Sequence, residues 1–121
     1  GQLGDGTTAS DSVPGVVLAI SGRSVQVGDF HTCAVASHYD GYCWGGGPAL
    51  GDGGFVNRTW PGAVVGGLKF TQVDGGVASS CGLVQSTGEI YCWGSNTYGQ
   101  LGALNSGGGS AIPLRIAEPS P

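Results

Sequence analysis

Charge and methionine are what this sequence has least of. Charged residues make up 10% of its 121 residues, against roughly a quarter in typical soluble proteins, and methionine is absent. Four residues are basic, and they are scattered along the chain: Arg23, Arg58, Lys69 and Arg115. Because no positive stripe exists to neutralise phosphates, the sequence argues against nucleic acid as a partner.

Long apolar runs are also missing. The longest stretch, VPGVVLAI at 13–20, is short and is interrupted by Pro14 and Gly15. It falls short of the roughly 20 apolar residues that a membrane-spanning helix needs, so we expect no membrane insertion. No signal-peptide pattern is visible, and any export signal is expected to have been removed or to lie outside this sequence.

Glycine is what the chain has in excess. It contains 26 glycines and 6 prolines, yet 40% of its residues are hydrophobic and three are tryptophan. That much apolar content argues against disorder. The composition therefore predicts one domain of short strands joined by tight, glycine-rich turns.

An internal repeat organises the chain. HTCAVASHYDGYCWG at 31–45 matches SSCGLVQSTGEIYCWG at 79–94, and GQLG at 1–4 recurs at 99–102. Side chains alternate within the units with a period of two, as in half-buried strands. YDG and STG fall between two such runs and predict hairpin turns.

The repeat has a period of about 50 residues and divides the chain into two and a half units. We predict one repeat domain over 1–121, with blade-like units at 9–47 and 59–98 and a half unit at 99–121. Each full unit is predicted as an antiparallel sheet of three or four strands, four in a complete propeller blade. Within the half unit, 111–117 is predicted to be a strand. Because no apolar pattern with the 3.6-residue period of a helix is long enough to predict one, the predicted fold is all-β.

This pattern resembles the regulator-of-chromosome-condensation repeat family, in a secreted variant that contains disulfides. The stretches that carry the resemblance are HTCAV, YCWG, STGEIYCWGSNTYGQLG and the proline-led strands after them. The resemblance implies blades of a β-propeller. Members of the family include exchange factors, enzyme inhibitors, photoreceptors and scaffolds, so function does not transfer with the blade.

The four cysteines flank the two predicted turns. Cys33 precedes Cys43 in one hairpin, and Cys81 precedes Cys92 in the other. Facing residues of an antiparallel pair have Cα atoms about 4.5 to 5.5 Å apart, which lies within disulfide reach. We therefore predict the bonds Cys33–Cys43 and Cys81–Cys92, in preference to free thiols or a zinc site, whose usual short cysteine spacings are missing. Disulfides in turn predict an oxidising, extracellular location.

No group of residues predicts catalysis, a cofactor or a metal. His31 lies near Cys33, but a bonded cysteine is not a nucleophile, and His38 falls in the predicted turn. The glycine-rich stretch GGGPALGDGG lacks the Gly-Lys-Ser/Thr ending of a phosphate-binding loop. Asp5, Asp40 and Asp52 are single acids in turns, whereas calcium needs several converging oxygen ligands.

Two residues near the middle of the chain are candidates for surface roles. Asn57, Arg58 and Thr59 form an N-glycosylation sequon in an irregular loop, which predicts a glycan at Asn57, with a chance tripeptide as the alternative. Trp60 follows, and it would serve either as a core residue or as an exposed contact for sugar or protein.

The unpaired half unit leads to the functional hypothesis. Propellers need about four to eight blades to close, so two and a half units leave apolar faces uncovered. We expect an extracellular structural protein that assembles head-to-tail with copies of itself into a filament or other homo-oligomer, by blade stacking or strand exchange. The predicted exchanged strand comprises Ile112, Pro113, Leu114, Arg115 and Ile116. The alternative is a fragment of a longer secreted propeller that binds a protein partner, such as an enzyme to be inhibited.

Overall fold

The computed structural model describes residues 1–17, 20–103 and 107–116. In this part of the chain the fold is all-β, as predicted, with two four-stranded antiparallel sheets and no helix. The first sheet contains, in spatial order, β1 (Gly22–Val27), β2 (His31–Ala36), β3 (Gly41–Gly45) and β4 (Arg58–Ala63). The second contains β5 (Phe70–Gly75), β6 (Ser79–Val84), β7 (Ile90–Ser95) and β8 (Gly109–Arg115).

The glycine of each YCWG stretch is required at its position in the hairpin strand for a steric reason. Gly45 and Gly94 have φ angles of 101° and 102°, a region that side chains disfavour. A Cβ atom at Gly45 would lie 2.7 Å from the carbonyl oxygen of Phe30, and one at Gly94 would lie 2.5 Å from that of Ala78. At both positions the strand backbone lies so close to the neighbouring carbonyl oxygen that only glycine fits.

The sheets start and end later than the predicted units 9–47 and 59–98. The proline-led strand after each YCWG completes the preceding sheet, so β4 pairs with β3 and β8 pairs with β7. The hypothesis that 111–117 lacks a sheet of its own was therefore wrong, although Ala117 lies outside the described residues. The pairing of β8 with β7 continues just past the end of β8, where the Ile116 amide donates to the Ile90 carbonyl at 3.0 Å.

The hydrophobic core lies between the two sheets. Phe70 of β5 fits above Gly41 of β3, where a Cβ atom would lie 2.9 Å from the phenyl ring. Its ring also packs beside Trp93, with the centroids 5.9 Å apart. The buried cluster contains Cys33, Val35, Cys43, Leu50, Val64, Phe70, Val73, Val84 and Trp93.

Strand alternation gives each sheet two faces, which we name the front face and the back face. The front face carries Val35 in the first sheet and Leu83 in the second, because both residues precede the hairpin turn in matching registers. The back face carries Val25 in the first sheet and Val73 in the second. The core forms where the front face of the first sheet packs on the back face of the second.

Candidate functional site

His31 is buried at the contact between the sheets. Its Nε2 atom lies 2.8 Å from Ser80 Oγ, and Ser80 Oγ donates its own proton to the Ala49 carbonyl at 2.9 Å. We therefore assign the histidine proton to Nε2, which leaves Nδ1 without a partner among the described residues. Burial lowers the pKa of His31, against the opposing charge of Asp29, so the neutral ring links the two sheets.

Asp5 and Asp52 make local contacts, whereas Asp40 forms an ion pair with Lys69, 29 residues further along the chain. Asp5 accepts hydrogen bonds from the amide and hydroxyl of Thr7, which lower its pKa. Asp52 forms an ion pair with Arg58 at 3.3 Å. His38 is exposed in the turn between β2 and β3.

Metal-ligand clusters and membrane-spanning helices are both missing from the described part of the chain. In 1–17, 20–103 and 107–116, no three histidine, cysteine or acidic side chains come together as metal ligands. Those ranges also contain no helix with the length and apolar character to cross a bilayer.

Both predicted disulfides are formed. Cys33 bonds Cys43 and Cys81 bonds Cys92, with Cα atoms 4.1 and 4.0 Å apart. Each bond joins directly facing residues of a hairpin. The first bond is fully buried between the sheets, whereas Cys81 is partly exposed on the front face of the second sheet.

Asn57 and Trp60 are both at the surface. Asn57 is exposed immediately before β4, and its Oδ1 atom accepts a hydrogen bond from the Gly47 amide at 3.3 Å. Trp60 is 54% exposed on β4, so it is a surface residue and not part of the core.

One backbone carbonyl in each of two loops receives a pair of side chains from a sheet. We name residues 1–6 the head loop and residues 48–53 the middle loop. The carbonyl of Gln2 in the head loop accepts hydrogen bonds from Thr32 Oγ1 at 2.9 Å and from Trp44 Nε1 at 2.8 Å.

The middle loop repeats this arrangement on the second sheet. The carbonyl of Ala49 accepts from Ser80 Oγ and from Trp93 Nε1, both at 2.9 Å. In each sheet the hydroxyl and the indole belong to facing residues of one hairpin. Each loop thus fastens to a hydroxyl–tryptophan pair on a back face.

Each loop has a glycine that allows this close approach. A Cβ atom at Gly4 would lie 2.6 Å from Trp44 Nε1, and one at Gly51 would lie 2.7 Å from Trp93 Nε1. Both separations are too short for a real carbon atom. The glycines are therefore required for the indole to reach the loop carbonyl.

A third copy of the loop, which we name the tail loop, spans 99–102. Within the described residues, no hydroxyl or indole donates to the Gln100 carbonyl, the counterpart of Gln2 and Ala49. The head loop contacts the first sheet and the middle loop contacts the second. The described chain has no third sheet for the tail loop to contact.

Two faces of the paired sheets are incompletely covered, one on each sheet. On the back face of the first sheet, Leu3, Val13 and Val17 line a hollow together with Val25, Val27 and Trp44. The front face of the second sheet exposes Leu83 and Ile90, and a shallow hollow of about 240 Å³ lies there beside Cys81. The back face of the first sheet exposes Val25 and Val27. These faces correspond to the two that are buried against each other at the centre of the molecule.

Comparison with protein families agrees with this repeated architecture. Models of the regulator of chromosome condensation (RCC1) repeat match residues 70–100 and 87–120. Over residues 70–120 the chain is similar to the regulator of chromosome condensation repeat family. Its two sheets resemble neighbouring blades of an RCC1 propeller.

Two curated relatives contain similar RCC1 sequence. The human E3 ubiquitin-protein ligase HERC2 is 32% identical over 120 residues, which cover 89% of this chain and 2% of the ligase. The ultraviolet-B receptor UVR8 of Arabidopsis thaliana is 38% identical over 109 residues, which cover 84% of this chain and 24% of the receptor. The chain therefore spans a quarter or less of these proteins.

Solved structures show the same fold. Human WBSCR16 matches with a TM-score of 0.76 at 20% identity, over 98% of this chain and 33% of that protein. The ectodomain of the Physcomitrella patens receptor kinase CR4 matches with a TM-score of 0.51 at 30% identity, over 65% of this chain and 19% of that ectodomain.

Proposed function

We propose that this chain is an extracellular structural protein that assembles head-to-tail with copies of itself by stacking RCC1 blades. The observation that carries the proposal is the contact already formed within the chain. Val35 of the first front face is fully buried and Val73 of the second back face is 2% exposed, while their counterparts Leu83 and Val25 are 37% and 59% exposed. A second copy would supply a back face to cover the exposed front face of the second sheet. Another copy would supply a front face to cover the exposed back face of the first sheet.

The geometry of this contact supports a ring or a filament. The same two surfaces meet at each step, so the contact is heterologous, and it closes into a ring only when the rotation per step divides a full turn. A ring of about three or four copies supplies roughly six or eight blades, within the usual range for propellers. Any other rotation gives a filament.

Two observations support the extracellular part of the proposal. Both disulfides are formed, and such bonds persist in oxidising compartments. The similarity to a receptor kinase ectodomain at 30% identity is a second support. A glycan at the exposed Asn57 belongs to the same proposal, and a mass loss on treatment with peptide-N-glycosidase tests it in material from a eukaryotic secretory host.

The proposal is non-catalytic. His31, the buried histidine, is occupied by Ser80. The exposed faces carry the aliphatic side chains of Val25, Val27, Leu83 and Ile90, together with the polar Gln72 and Asp74 on the front face of the second sheet. Such surfaces suit protein contact rather than bond-making chemistry.

The proposal uses blade stacking rather than exchange of 111–117. In this chain β8 already pairs with β7 over four registered positions. Leaving that place would break those bonds, whereas stacking preserves both sheets and covers apolar surface.

Sedimentation velocity and negative-stain electron microscopy test the assembly. The 12.0 kDa chain is expected to form rings or filaments whose fraction rises with concentration. Leu83→Glu places a charge on the front face and is expected to leave monomers. Ser86→Glu adds the same charge to the exposed turn and is expected to assemble like the parent chain.

A second candidate function is favoured by the coverage of the relatives. The chain covers between 2% and 33% of the similar proteins described above, so the same blades would also suit one segment of a longer secreted propeller that binds a protein partner. A chain that stays monomeric at all concentrations, with Leu83→Glu no different from the parent, favours this second candidate over self-assembly.

A further inference from the structure

We propose that the tail loop of one copy replaces the head loop of the next copy on its Thr32 and Trp44 side chains. This inference rests on the self-assembly proposed above and names the contact through which it occurs. The two loops have the same sequence, Gly-Gln-Leu-Gly, at 1–4 and 99–102. They are thus alternative ligands for one site.

The tail loop already has the conformation that this site requires. Gly4, Gly51 and Gly102 have φ angles of 71°, 69° and 62°. The Gly4 amide donates to the Gly1 carbonyl at 3.1 Å, and the Gly102 amide donates to the Gly99 carbonyl at 3.2 Å. Docking therefore requires little rearrangement of the tail loop.

The two loops differ in how firmly their own chain holds them. Leu3 of the head loop is 46% exposed, whereas Leu101 of the tail loop and Leu50 of the middle loop are fully buried. The head loop is held on the first sheet by the Gln2 carbonyl and by the Gly6 amide, which donates to the Thr59 carbonyl at 2.9 Å. Its leucine side chain is nevertheless the least buried of the three, so an incoming tail loop has only these hydrogen bonds to replace.

Beside the loop, the two exposed faces carry side chains of complementary size at the position that Phe70 occupies inside the chain. Inside the chain, Gly41 of the front face leaves room for Phe70 of the back face. Ile90 stands at the position of Gly41, opposite Leu83 as Gly41 is opposite Val35. Gly22 stands at the position of Phe70. In the proposed contact, the large Ile90 of the front face thus meets the small Gly22 of the back face. Inside the chain the small residue is on the front face and the large one is on the back face.

A second pair is exchanged in the opposite sense. Inside the chain, the large His31 lies against Gly75, where a Cβ atom would be 2.8 Å from the ring. Ser79 stands at the position of His31, and Val27 stands at the position of Gly75. At both positions the differences in side-chain size compensate across the proposed contact. This complementarity favours a second copy of this chain as the occupant.

The head loop consequently acts as an internal competitor of assembly. Its Gln2 carbonyl already holds Thr32 and Trp44, so the incoming Gln100 carbonyl binds only after the head loop has left. Weakening the head loop should strengthen assembly, and obstructing the tail loop should weaken it.

Two alanine variants with opposite expected effects test this replacement in the full chain. Gly102→Ala adds a Cβ atom whose nearest neighbour in the single chain is Ile116 at 3.6 Å, but which would overlap Trp44 of the next copy after docking. Its association, measured by sedimentation equilibrium, is expected to be about tenfold weaker. Gly4→Ala introduces the overlap within the single chain, which releases the head loop, and is expected to associate about tenfold more tightly.

Gly88→Ala is the matched control for backbone strain. Gly88 has a φ angle of 73° and open space around its Cα atom, so the variant carries the same conformational cost away from both loops. It should melt like Gly102→Ala and associate like the parent chain. This comparison separates a docking defect from a general loss of stability.

The outcomes distinguish this inference from the proposed function. If the parent chain assembles and Leu83→Glu blocks assembly, but Gly102→Ala associates like Gly88→Ala, blades stack without loop replacement and the inference is refuted. If Gly4→Ala weakens association, the head loop supports the contact and is not its competitor, which also refutes it. If the parent chain remains monomeric, the proposed function fails together with the inference.

Discussion

The two blades have the same strand order and the same hairpin disulfide, but they differ in what covers them. The first blade has a buried front face and exposes Val25 and Val27 on its back face, whereas the second has a buried back face and exposes Leu83 and Ile90 on its front face. Val73 is 2% exposed whereas Val25, at the same position of the other blade, is 59% exposed. Burial in this molecule is therefore decided by the place of a blade in the array and not by the type of residue.

The largest expected effect concerns the two disulfides. Cys33 and Cys43 are fully buried between the blades, while Cys81 lies partly exposed on the uncovered front face. A thiolate should therefore reach Cys81–Cys92 first. Limited reduction with dithiothreitol, followed by alkylation and peptide mass spectrometry, should label Cys81 and Cys92 before the other pair.

Loss of that exposed bond should also destabilise the chain measurably. Each bond closes a short loop, and the chain-entropy model gives a cost of roughly 2 to 3 kcal/mol for removing it. Cys81→Ala combined with Cys92→Ala should show this loss in urea unfolding. Equal labelling of all four cysteines at every time point would contradict the difference between the blades.

The next effect comes from exchanging residues between the blades. Gly41→Ile places the residue of the second blade under Phe70, where even a Cβ atom would be 2.9 Å from the ring. Overpacking of this kind should cost about 2 kcal/mol in the free energy of unfolding. Ile90→Gly, the reverse exchange, removes a side chain that is 40% exposed and should cost about 1 kcal/mol. Urea unfolding that ranks the two variants the other way would contradict the proposed packing.

The smallest effect depends on pH and also separates the blades. The pKa of His31 is lowered by burial, so the unfolded chain takes up the proton more readily than the folded one. Stability should be fully present above the unfolded pKa of about 6.5 and should fall as the pH drops below it. Melting temperatures between pH 7 and pH 5 should show this decline.

A matched pair of variants checks the assignment to His31. His31→Ser copies Ser79 of the second blade and should flatten the dependence of melting temperature on pH. His38→Gln alters the exposed turn and should leave that dependence unchanged. An unchanged slope in His31→Ser would show that other groups cause the decline.

The sequence predicted the hairpins better than the limits of the blades. Cysteine spacing placed Cys33 opposite Cys43 because a hairpin is a local structure. Repeat length, in contrast, carries no information about where a unit begins. The segment 12–17 has the same proline-led pattern as β4 and β8, yet it forms no strand.

The loop contacts could not have been predicted from the sequence. The acceptors at Gln2 and Ala49 are backbone carbonyls, which any residue supplies, so the differing side chains give no signal. The donors do recur, since Thr32 and Ser80 both precede a cysteine and Trp44 and Trp93 both follow one. This shared pattern was the available clue, and it becomes meaningful once the loops are seen to cross from one sheet to the next.

The middle loop has a consequence for how the molecule unfolds. It runs between β3 and β4 of the first blade, but its Ala49 carbonyl holds Ser80 and Trp93 of the second. Melting of either blade removes the hydrogen-bond partners of the other, so the nearest-neighbour coupling of this repeat is strong. Heating the chain should therefore give a single calorimetric transition, with equal van't Hoff and calorimetric enthalpies.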